Sequence, residues 1–251
     1  MVGVKFYPKP KVGETHTIKC HYMAFLRILF SRQLIPKRTL MKIGLIMSMK
    51  TKLLAIVGSH RKNGNCYALA KSILESTSSK SRIIQLASKK IEFCVLCEKC
   101  VHEDCVLTDD LNQILAEMKK ADAIMFIFPK YLLASSKFLA FLERLDTIVH
   151  MRKHKGYKHT FTEPNYRLLP KQQPFCVFAL SGTGRFKKET LRTVVEYIES
   201  LGLTLVSHDH PPFIAVNVRA GDEKGEVLKN KAALKQCTEL TKKIIKSIKK
   251  N

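Results

Sequence analysis

The sequence lacks an uninterrupted apolar run of about 18 residues, the length that a membrane-spanning helix requires. It contains no internal repeat and no low-complexity tract. Acidic residues are scarce, since 21 Asp and Glu stand against 44 Lys and Arg, for a formal net charge of +23. Zinc-finger spacing, RNP-like aromatic motifs and a basic region running into heptads are all missing, so the charge indicates no specific nucleic acid. We therefore expect no transmembrane segment, and an acidic partner, an anionic cofactor or a negatively charged surface as the binding partner of the chain.

The first fifty residues differ in character from the rest of the chain. Residues 1–51 hold ten Lys or Arg and a single acidic residue, Glu14. Two short apolar stretches, 23–30 and 43–47, are not followed by a clean small-residue cleavage site. Met41, Met47 and Met49 are alternative starts just before the first predicted strand. We expect residues 1–50 to be a basic leader that is disordered or not translated, and residues 51–251 to form the folded domain.

Short apolar segments alternate with helical patterns from residue 52 onward. The predicted strands are 53–57, 82–86, 123–128, 174–180 and 203–206. The predicted helices are 66–74, 111–118 with a cap at Thr108 or Asp109, 138–149, 186–201 and 226–249. This alternation predicts an α/β fold with a doubly wound, five-stranded parallel sheet in three α/β/α layers. Residues 151–173 show no clear period and are expected to be a lid-like insertion.

Polar loops follow the first, third and fourth predicted strands. The first, Gly58 to Cys66, offers backbone amides and a helix N-terminus to a phosphate, although an ordinary strand-to-helix turn is the alternative. It is neither a Walker loop nor a three-glycine dinucleotide fingerprint. Because the carboxyl ends of parallel strands meet at one edge, the three loops are expected to form a pocket for a flat ring with a phosphate tail.

The residues of these loops resemble those of the NADPH-dependent FMN reductase and iron-sulfur flavoprotein family. The resemblance spans residues 52 to about 210 and rests on Ser59-x-Arg61-x-x-Gly64-Asn65, Pro129-Lys130-Tyr131, Ser136-Lys137 and Glu143-Arg144. It implies a flavodoxin-like fold that binds FMN, with the phosphate at the first loop and the isoalloxazine ring at the later ones. The implied FMN-binding residues are Ser59, Arg61, Asn63, Gly64, Asn65, Cys66, Pro129, Tyr131, Ser136, Ser181, Gly182 and Gly184. Cys66 departs from the family pattern, which usually has Thr or Ser there.

Four of the eight cysteines lie within residues 94–105, where they form a C-x2-C-x2-C-x4-C motif. Such compact thiolate spacing suits an iron-sulfur cluster. It also resembles the cluster-binding motif of iron-sulfur flavoproteins, which implies a [4Fe-4S] centre held by Cys94, Cys97, Cys100 and Cys105. A zinc site that includes His102, a redox dithiol, and cysteines without metal in a plain FMN reductase are the alternatives. Structural disulfides are disfavoured in a sequence that otherwise indicates a cytoplasmic protein.

The sequence leaves three functions open. The first is a flavin-dependent oxidoreductase that passes electrons between a [4Fe-4S] cluster and FMN without a catalytic side chain, with a ferredoxin or another acidic carrier as the implied donor. The second is an NAD(P)H-dependent FMN or quinone reductase without a cluster. The third is a polyanion-binding module with a flavodoxin-like shell.

Two further expectations concern assembly and charge pairing. The family resemblance implies a homo-oligomer, either a dimer or a tetramer. Glu143 and Arg144 lie on a predicted amphipathic helix, where they form either a charge pair of the site or a local pairing at the surface.

Overall fold

A computed structural model describes residues 51–77, 79–131, 133–153, 168–169, 171–182, 188–206 and 216–248 of the chain. The basic leader, most of the lid-like insertion and Gly184 lie outside these residues. The described strands are β1 (Lys52–Val57), β2 (Lys80–Gln85), β3 (Ala123–Pro129), β4 (Pro174–Ser181), β5 (Thr204–Leu205) and β6 (Val216–Arg219). The helices are α1 (Asn65–Glu75), α2 (Leu111–Lys120), α3 (Ser136–Met151), α4 (Lys188–Ser200) and α5 (Lys231–Ile248). Within the described parts, no helix is long and apolar enough to cross a membrane.

The strands form one parallel sheet in the order β2-β1-β3-β4-β5. β4 pairs with β5 at its start, through Pro174 and Phe175. It pairs with β6 at its end, from Phe178 to Ser181. Two short strands therefore occupy successive parts of the fifth position, and the predicted five-stranded, flavodoxin-like sheet is confirmed in this divided form.

Alternate residues of the central strands point to opposite faces of the sheet, as the period of two requires. On one face, Leu54, Phe126 and Val177 are buried in a cluster with residues of α2, α3 and α4. On the other face, Ala55 and Met125 are buried in a cluster with residues of α1 and α5. Burial on both faces explains the apolar run of β3 and gives the predicted three layers.

The last part of the chain departs from the prediction in two places. β6 was not predicted, because its four residues follow a Pro-containing segment and carry only two apolar side chains. The predicted helix 226–249 is wrong at its start, since Glu226–Lys229 is a short 3-10 turn and α5 begins at Lys231. Asn230 separates them, and its Oδ1 accepts a hydrogen bond from the Ala233 amide at 3.1 Å. An asparagine that accepts from the first turn in this way is a favoured helix N-cap.

Candidate functional site

The carboxyl ends of β1 and β3 lie side by side where the strand order reverses, which is where doubly wound sheets bind their ligands. The loops that follow β1, β3, β4 and β6 surround a cleft at this edge. Eight predicted FMN-binding residues line it, namely Ser59, Arg61, Asn65, Cys66, Pro129, Tyr131, Ser181 and Gly182. The convergence of the three predicted loops is therefore present in the structure.

The first loop is fixed to the core by hydrogen bonds of both the amide and the carbonyl of Gly58. The Gly58 amide donates to the Ile127 carbonyl of β3 at 2.8 Å. The buried Ser135 hydroxyl donates to the Gly58 carbonyl, and its oxygen accepts from the Phe138 amide at 3.2 Å as the N-cap of α3. A Cβ atom at Gly58 would lie 2.6 to 2.7 Å from the Phe138 side chain, so the close approach of loop and helix requires glycine.

The end of this loop has the features of an anion site. Ser59 is buried, and its hydroxyl oxygen accepts from the Arg61 amide at 3.1 Å, which turns the chain toward α1. α1 begins after Gly64, and no side chain caps it. Its first-turn amides are therefore available to a phosphate, which the helix dipole favours at this end.

A fourth loop, residues 220–225, closes the cleft and was missed by the sequence analysis. Arg61 Nη1 donates to the Asp222 carbonyl at 2.8 Å, and its guanidinium lies 3.6 Å from the Asp222 carboxylate. Asn65 Nδ2 donates to the Gly221 and Glu223 carbonyls at 2.9 Å each. Two residues predicted to bind the phosphate thus also hold the fourth loop. A short segment with alternating valines, VNVR, followed by Ala-Gly-Asp is the signal from which this loop was predictable.

The opposite side of the cleft carries a polar group that lacks a partner. The Ser181 hydroxyl oxygen, at the carboxyl end of β4, is buried and makes no hydrogen bond within the described residues. Buried hydroxyls are nearly always hydrogen-bonded, so this one fits a polar ligand in the cleft. The residues present therefore fit FMN, with anion-binding amides at one side and a hydroxyl without a partner at the other.

Cys66 stands at the start of α1 with its thiol buried. Burial raises the pKa of Cys66 to about 12, although the Arg61 charge acts in the opposite direction. The thiol is therefore neutral near pH 7, and it places no negative charge beside a bound phosphate.

Three predicted residues within the described chain do not line the cleft. Gly64 is the residue before α1, and the Asn63 amide donates to Gln85 Oε1 at 2.9 Å, toward the end of β2. Ser136 Oγ lies 3.0 Å from His60 Nε2 at an exposed position. Gly184 lies outside the described residues.

The four cysteines of the motif lie in the loop between β2 and α2. Cys97 is exposed, Cys94 and Cys105 are half-buried, and Cys100 is buried. Burial, and the negative charge of the Cys105, Cys94 and Cys97 sulfurs when they are thiolates, raise the pKa of Cys100. In the described part of the chain, no group of three or more His, Cys, Asp or Glu side chains is arranged as a ready-made metal site.

Arg144 lies beneath this loop rather than at the surface. Its Nη1 lies 2.7 Å from Asp109 Oδ2, and each side chain is only 1% exposed. Its Nη2 donates to Cys105 Sγ at 3.1 Å. The interpretation of Arg144 as part of a local surface pairing is therefore wrong, because its partners come from a segment that is distant along the chain.

Residues 51–161 match the family model described as NADPH-dependent FMN reductase. An iron-sulfur flavoprotein of Archaeoglobus fulgidus is 29% identical over 110 residues, which cover 42% of this chain and 50% of that protein. One from Methanocaldococcus jannaschii is 34% identical over 84 residues, covering 32% of this chain and 44% of that protein. The matched segments thus span half or less of these relatives.

Two solved structures share the fold. A flavone reductase aligns with a TM-score of 0.52 at 17% identity, covering 79% of this chain and 63% of that one. RosB, solved with 8-demethyl-8-formylriboflavin-5'-phosphate bound, aligns with a TM-score of 0.55 at 13% identity, covering 80% and 81%. Residues 51–161, which carry the first loop and the four cysteines, thus match the NADPH-dependent FMN reductase family, and the chain is distantly homologous to archaeal iron-sulfur flavoproteins.

Proposed function

We propose that this protein is a flavin-dependent oxidoreductase that binds FMN in the cleft between the loops after β1, β3, β4 and β6. The observation that carries the proposal is a cleft at the switch point of a flavodoxin-like sheet, lined by Ser181, whose buried hydroxyl has no partner among the described residues. FMN, when bound, supplies the exchange of electrons or hydride. The protein supplies placement and electrostatics, and no side chain is assigned as a general acid or base.

Each side of the cleft has a distinct part in binding. Ser59 and the first-turn amides of α1 bind the phosphate, and Arg61 adds a positive charge beside it. Ser181 donates to or accepts from a polar atom of the flavin. Asn65 keeps the fourth loop against α1, so the cleft holds its shape.

We further propose that Cys94, Cys97, Cys100 and Cys105 hold a [4Fe-4S] cluster that exchanges electrons with the FMN site. The names of the relatives and the chemistry of four thiols in one twelve-residue loop support this proposal. Since the sulfurs of the described loop do not form a ready-made metal site, iron must draw them together as it binds. The partner that fits the positive net charge is an acidic carrier such as a ferredoxin.

The second candidate is an NAD(P)H-dependent FMN or quinone reductase without a cluster. The description of the matching family and the arrangement of the cysteines both favour it. In this case hydride passes directly from the nicotinamide to the flavin, and the cysteines serve another purpose.

We also propose that the protein is a homo-oligomer in which a second copy covers the cysteine loop. Phe93, Val95 and Leu96 on this loop are 72%, 65% and 63% exposed. Adjacent exposed apolar side chains of this size are typical of an interface. Light scattering of Phe93→Ser tests this, with Leu228→Ser on the exposed side of another element as the control. Only Phe93→Ser is expected to shift the assembly toward the monomer, and an unchanged mass contradicts the proposal.

The proposed function is tested on full-length protein purified without oxygen, by absorbance, EPR, and FMN, iron and sulfide analysis. We expect bound FMN with about four iron and four sulfide per chain. Cys97→Ser is expected to lose iron and keep FMN, because Cys97 is exposed and contributes little to packing. Ser181→Ala is expected to keep iron and weaken FMN binding about 10-fold, the effect of one hydrogen bond of about 1.4 kcal/mol.

The same preparation separates the alternatives. Protein with FMN but without iron, reduced rapidly by NADPH, supports the second candidate. Folded protein that binds neither FMN nor iron contradicts both proposals. The remaining function would be a polyanion-binding module, which is expected to bind a nucleic acid with an affinity that falls steeply as salt rises.

A further inference from the structure

The cysteine loop is closed at its base by two consecutive carboxylates. The Lys90 amide donates to Asp110 Oδ2 at 2.7 Å, and the Glu92 amide donates to Asp109 Oδ2 at 2.9 Å. Asp109 Oδ1 accepts from the Leu111 amide at 3.0 Å, where α2 begins. The two ends of the loop are thereby held together before any metal binds.

Arg144 of α3 connects this base to one of the sulfurs. Its guanidinium donates to the Glu92 carbonyl, to Asp109 Oδ2 at 2.7 Å and to Cys105 Sγ at 3.1 Å. The planar guanidinium has donors in a fixed arrangement, so contacts to the carboxylate and the carbonyl also fix the direction of the donor toward Cys105. The Cys105 backbone carbonyl is held as well, by Asn112 Nδ2 at 2.6 Å.

The charges of this cluster favour a permanent donor at the sulfur. An arginine guanidinium is always protonated in proteins. Because the guanidinium stays protonated, its N–H group toward Cys105 is always present. Asp109 offsets the positive charge, so Arg144 is not left as an unpaired buried ion.

We propose that Arg144 is a positioning residue for the metal centre, which orients the Cys105 sulfur through an N–H···S hydrogen bond and raises the reduction potential of the bound cluster. The inference rests on the proposed cluster. Hydrogen bonds to ligand sulfurs stabilise the more negative, reduced form and are one of the protein's means of setting the potential.

Arg152 provides a matched control. It directly follows α3 and extends to the same loop, where Nε donates to the Cys100 carbonyl at 3.1 Å and Nη2 to the Glu103 carbonyl at 3.0 Å. Arg152 therefore stabilises the loop backbone and donates to none of its sulfurs in the described contacts. A comparison of the two arginines separates an effect on the sulfur from an effect on the loop.

The experiment compares wild type, Arg144→Lys and Arg152→Lys as full chains purified without oxygen. The lysine keeps the charge beside Asp109, but its single ammonium group cannot reproduce the guanidinium contacts with the carboxylate, the carbonyl and the sulfur. Redox titration with titanium(III) citrate is expected to give a lower midpoint potential for Arg144→Lys only. Iron content is expected to fall in the same variant, and FMN affinity to stay unchanged in both.

A measurement on the wild type keeps the inference testable if Arg144→Lys does not fold. Protein labelled with ¹⁵N only in arginine is reduced and its cluster studied by pulsed EPR. We expect a weak ¹⁵N coupling in the wild type and in Arg152→Lys. Two results overturn the inference and leave the proposed cluster standing. The first is iron-loaded wild type without this coupling, and the second is Arg144→Lys with the wild-type potential and iron content. Wild type that binds no iron overturns the proposed cluster and the inference together.

Discussion

At the scale of single residues, Gly58 shows how closely the cleft is fitted to the hydrophobic core. The Phe138 ring, which a Cβ atom at Gly58 would meet, is fully buried and stacks on Phe128 with 4.6 Å between ring centroids. Gly58→Ala is expected to reduce the free energy of unfolding by about 1–3 kcal/mol, because neither the ring nor the loop can move away without strain. It is also expected to weaken FMN binding, since the first loop is displaced.

Gly182→Ala is the control for the expected loss of stability, measured by urea unfolding, and FMN titration measures the binding of Gly58→Ala. Among the described residues, a Cβ atom at Gly182 would meet only the Ala220 carbonyl oxygen, at 4.0 Å. Its stability is expected to stay within about 0.5 kcal/mol of the wild type. Equal stabilities of the two variants would contradict the proposed packing of the loop.

The ionisation of Asp109 makes the stability of the fold depend on pH, and the direction of this dependence follows from its pKa. Burial raises its pKa, but hydrogen bonds from the Glu92 and Leu111 amides and from Arg144 outweigh this, and the pKa is lowered. A carboxyl with a lowered folded pKa stabilises the fold above its unfolded value of about 3.9, and this contribution is lost as the pH falls further. We expect Asp109→Asn to be less stable by about 3–5 kcal/mol at pH 7, because Arg144 is left without a counter-charge.

The difference between wild type and Asp109→Asn is expected to shrink as the pH falls below about 4, where the wild-type carboxyl also takes up its proton. Urea unfolding at several pH values between 7 and 3 measures it. Asp104→Asn, at an exposed position of the same loop, serves as the control and is expected to follow the wild type. A constant difference at all pH values would show that Asp109 is not the titrating group.

Sequence reasoning located the polar residues of the cleft but not the partners of Arg144. The loops after β1, β3 and β4 were predictable, because strand ends in a parallel sheet share one edge. The ion pair of Arg144 joins residues that are 35 positions apart, and its bond to Cys105 spans 39 positions. No local periodicity indicates such a contact, whereas the neighbouring Glu143 offers an obvious pairing at the surface.

At the scale of elements, the predicted strands and helices differ from the structure chiefly where tertiary contacts decide the boundaries. β5 and β6 are two and four residues long, and their boundaries follow the parts of β4 with which they pair. Asn230 divides the predicted last helix because its side chain caps α5. The Lys-rich amphipathic pattern continues through this break and does not reveal it.

Asn65 connects two elements, and its removal is expected to loosen the fourth loop. Its side chain donates to two carbonyls of the loop, and its Oδ1 accepts from the Val227 amide at 3.4 Å. Asn65→Ala is expected to speed amide hydrogen exchange in residues 221–228 and to cost about 1–2 kcal/mol of stability. Lys71→Ala, which removes only an exposed ion pair with Glu75 on the same helix, is expected to leave this exchange unchanged. Unchanged exchange in Asn65→Ala would contradict the role of this side chain.

At the scale of the whole molecule, the chain has 44 basic and 21 acidic residues, and this positive net charge affects its association with partners rather than its fold. Charge of one sign speeds the encounter with a partner of the other sign and orients it, while salt screens the attraction. The exposed apolar residues of the cysteine loop add a surface that we assign to the second copy in the proposed homo-oligomer. The positive charge agrees with a protein that docks an acidic electron carrier.

An acidic ferredoxin as electron donor leads to a kinetic prediction. If the basic surface guides its docking, the second-order rate of flavin reduction by a reduced, acidic ferredoxin is expected to fall at least about 10-fold from low to high salt. Stopped-flow absorbance under anaerobic conditions measures this rate. Reduction by photoreduced 5-deazariboflavin, which is uncharged before illumination, is the control and is expected to depend only weakly on salt. If the rate with the ferredoxin is equally insensitive to salt, the positive charge has another partner. The proposal of an acidic electron carrier then fails, even for protein that binds both FMN and the cluster.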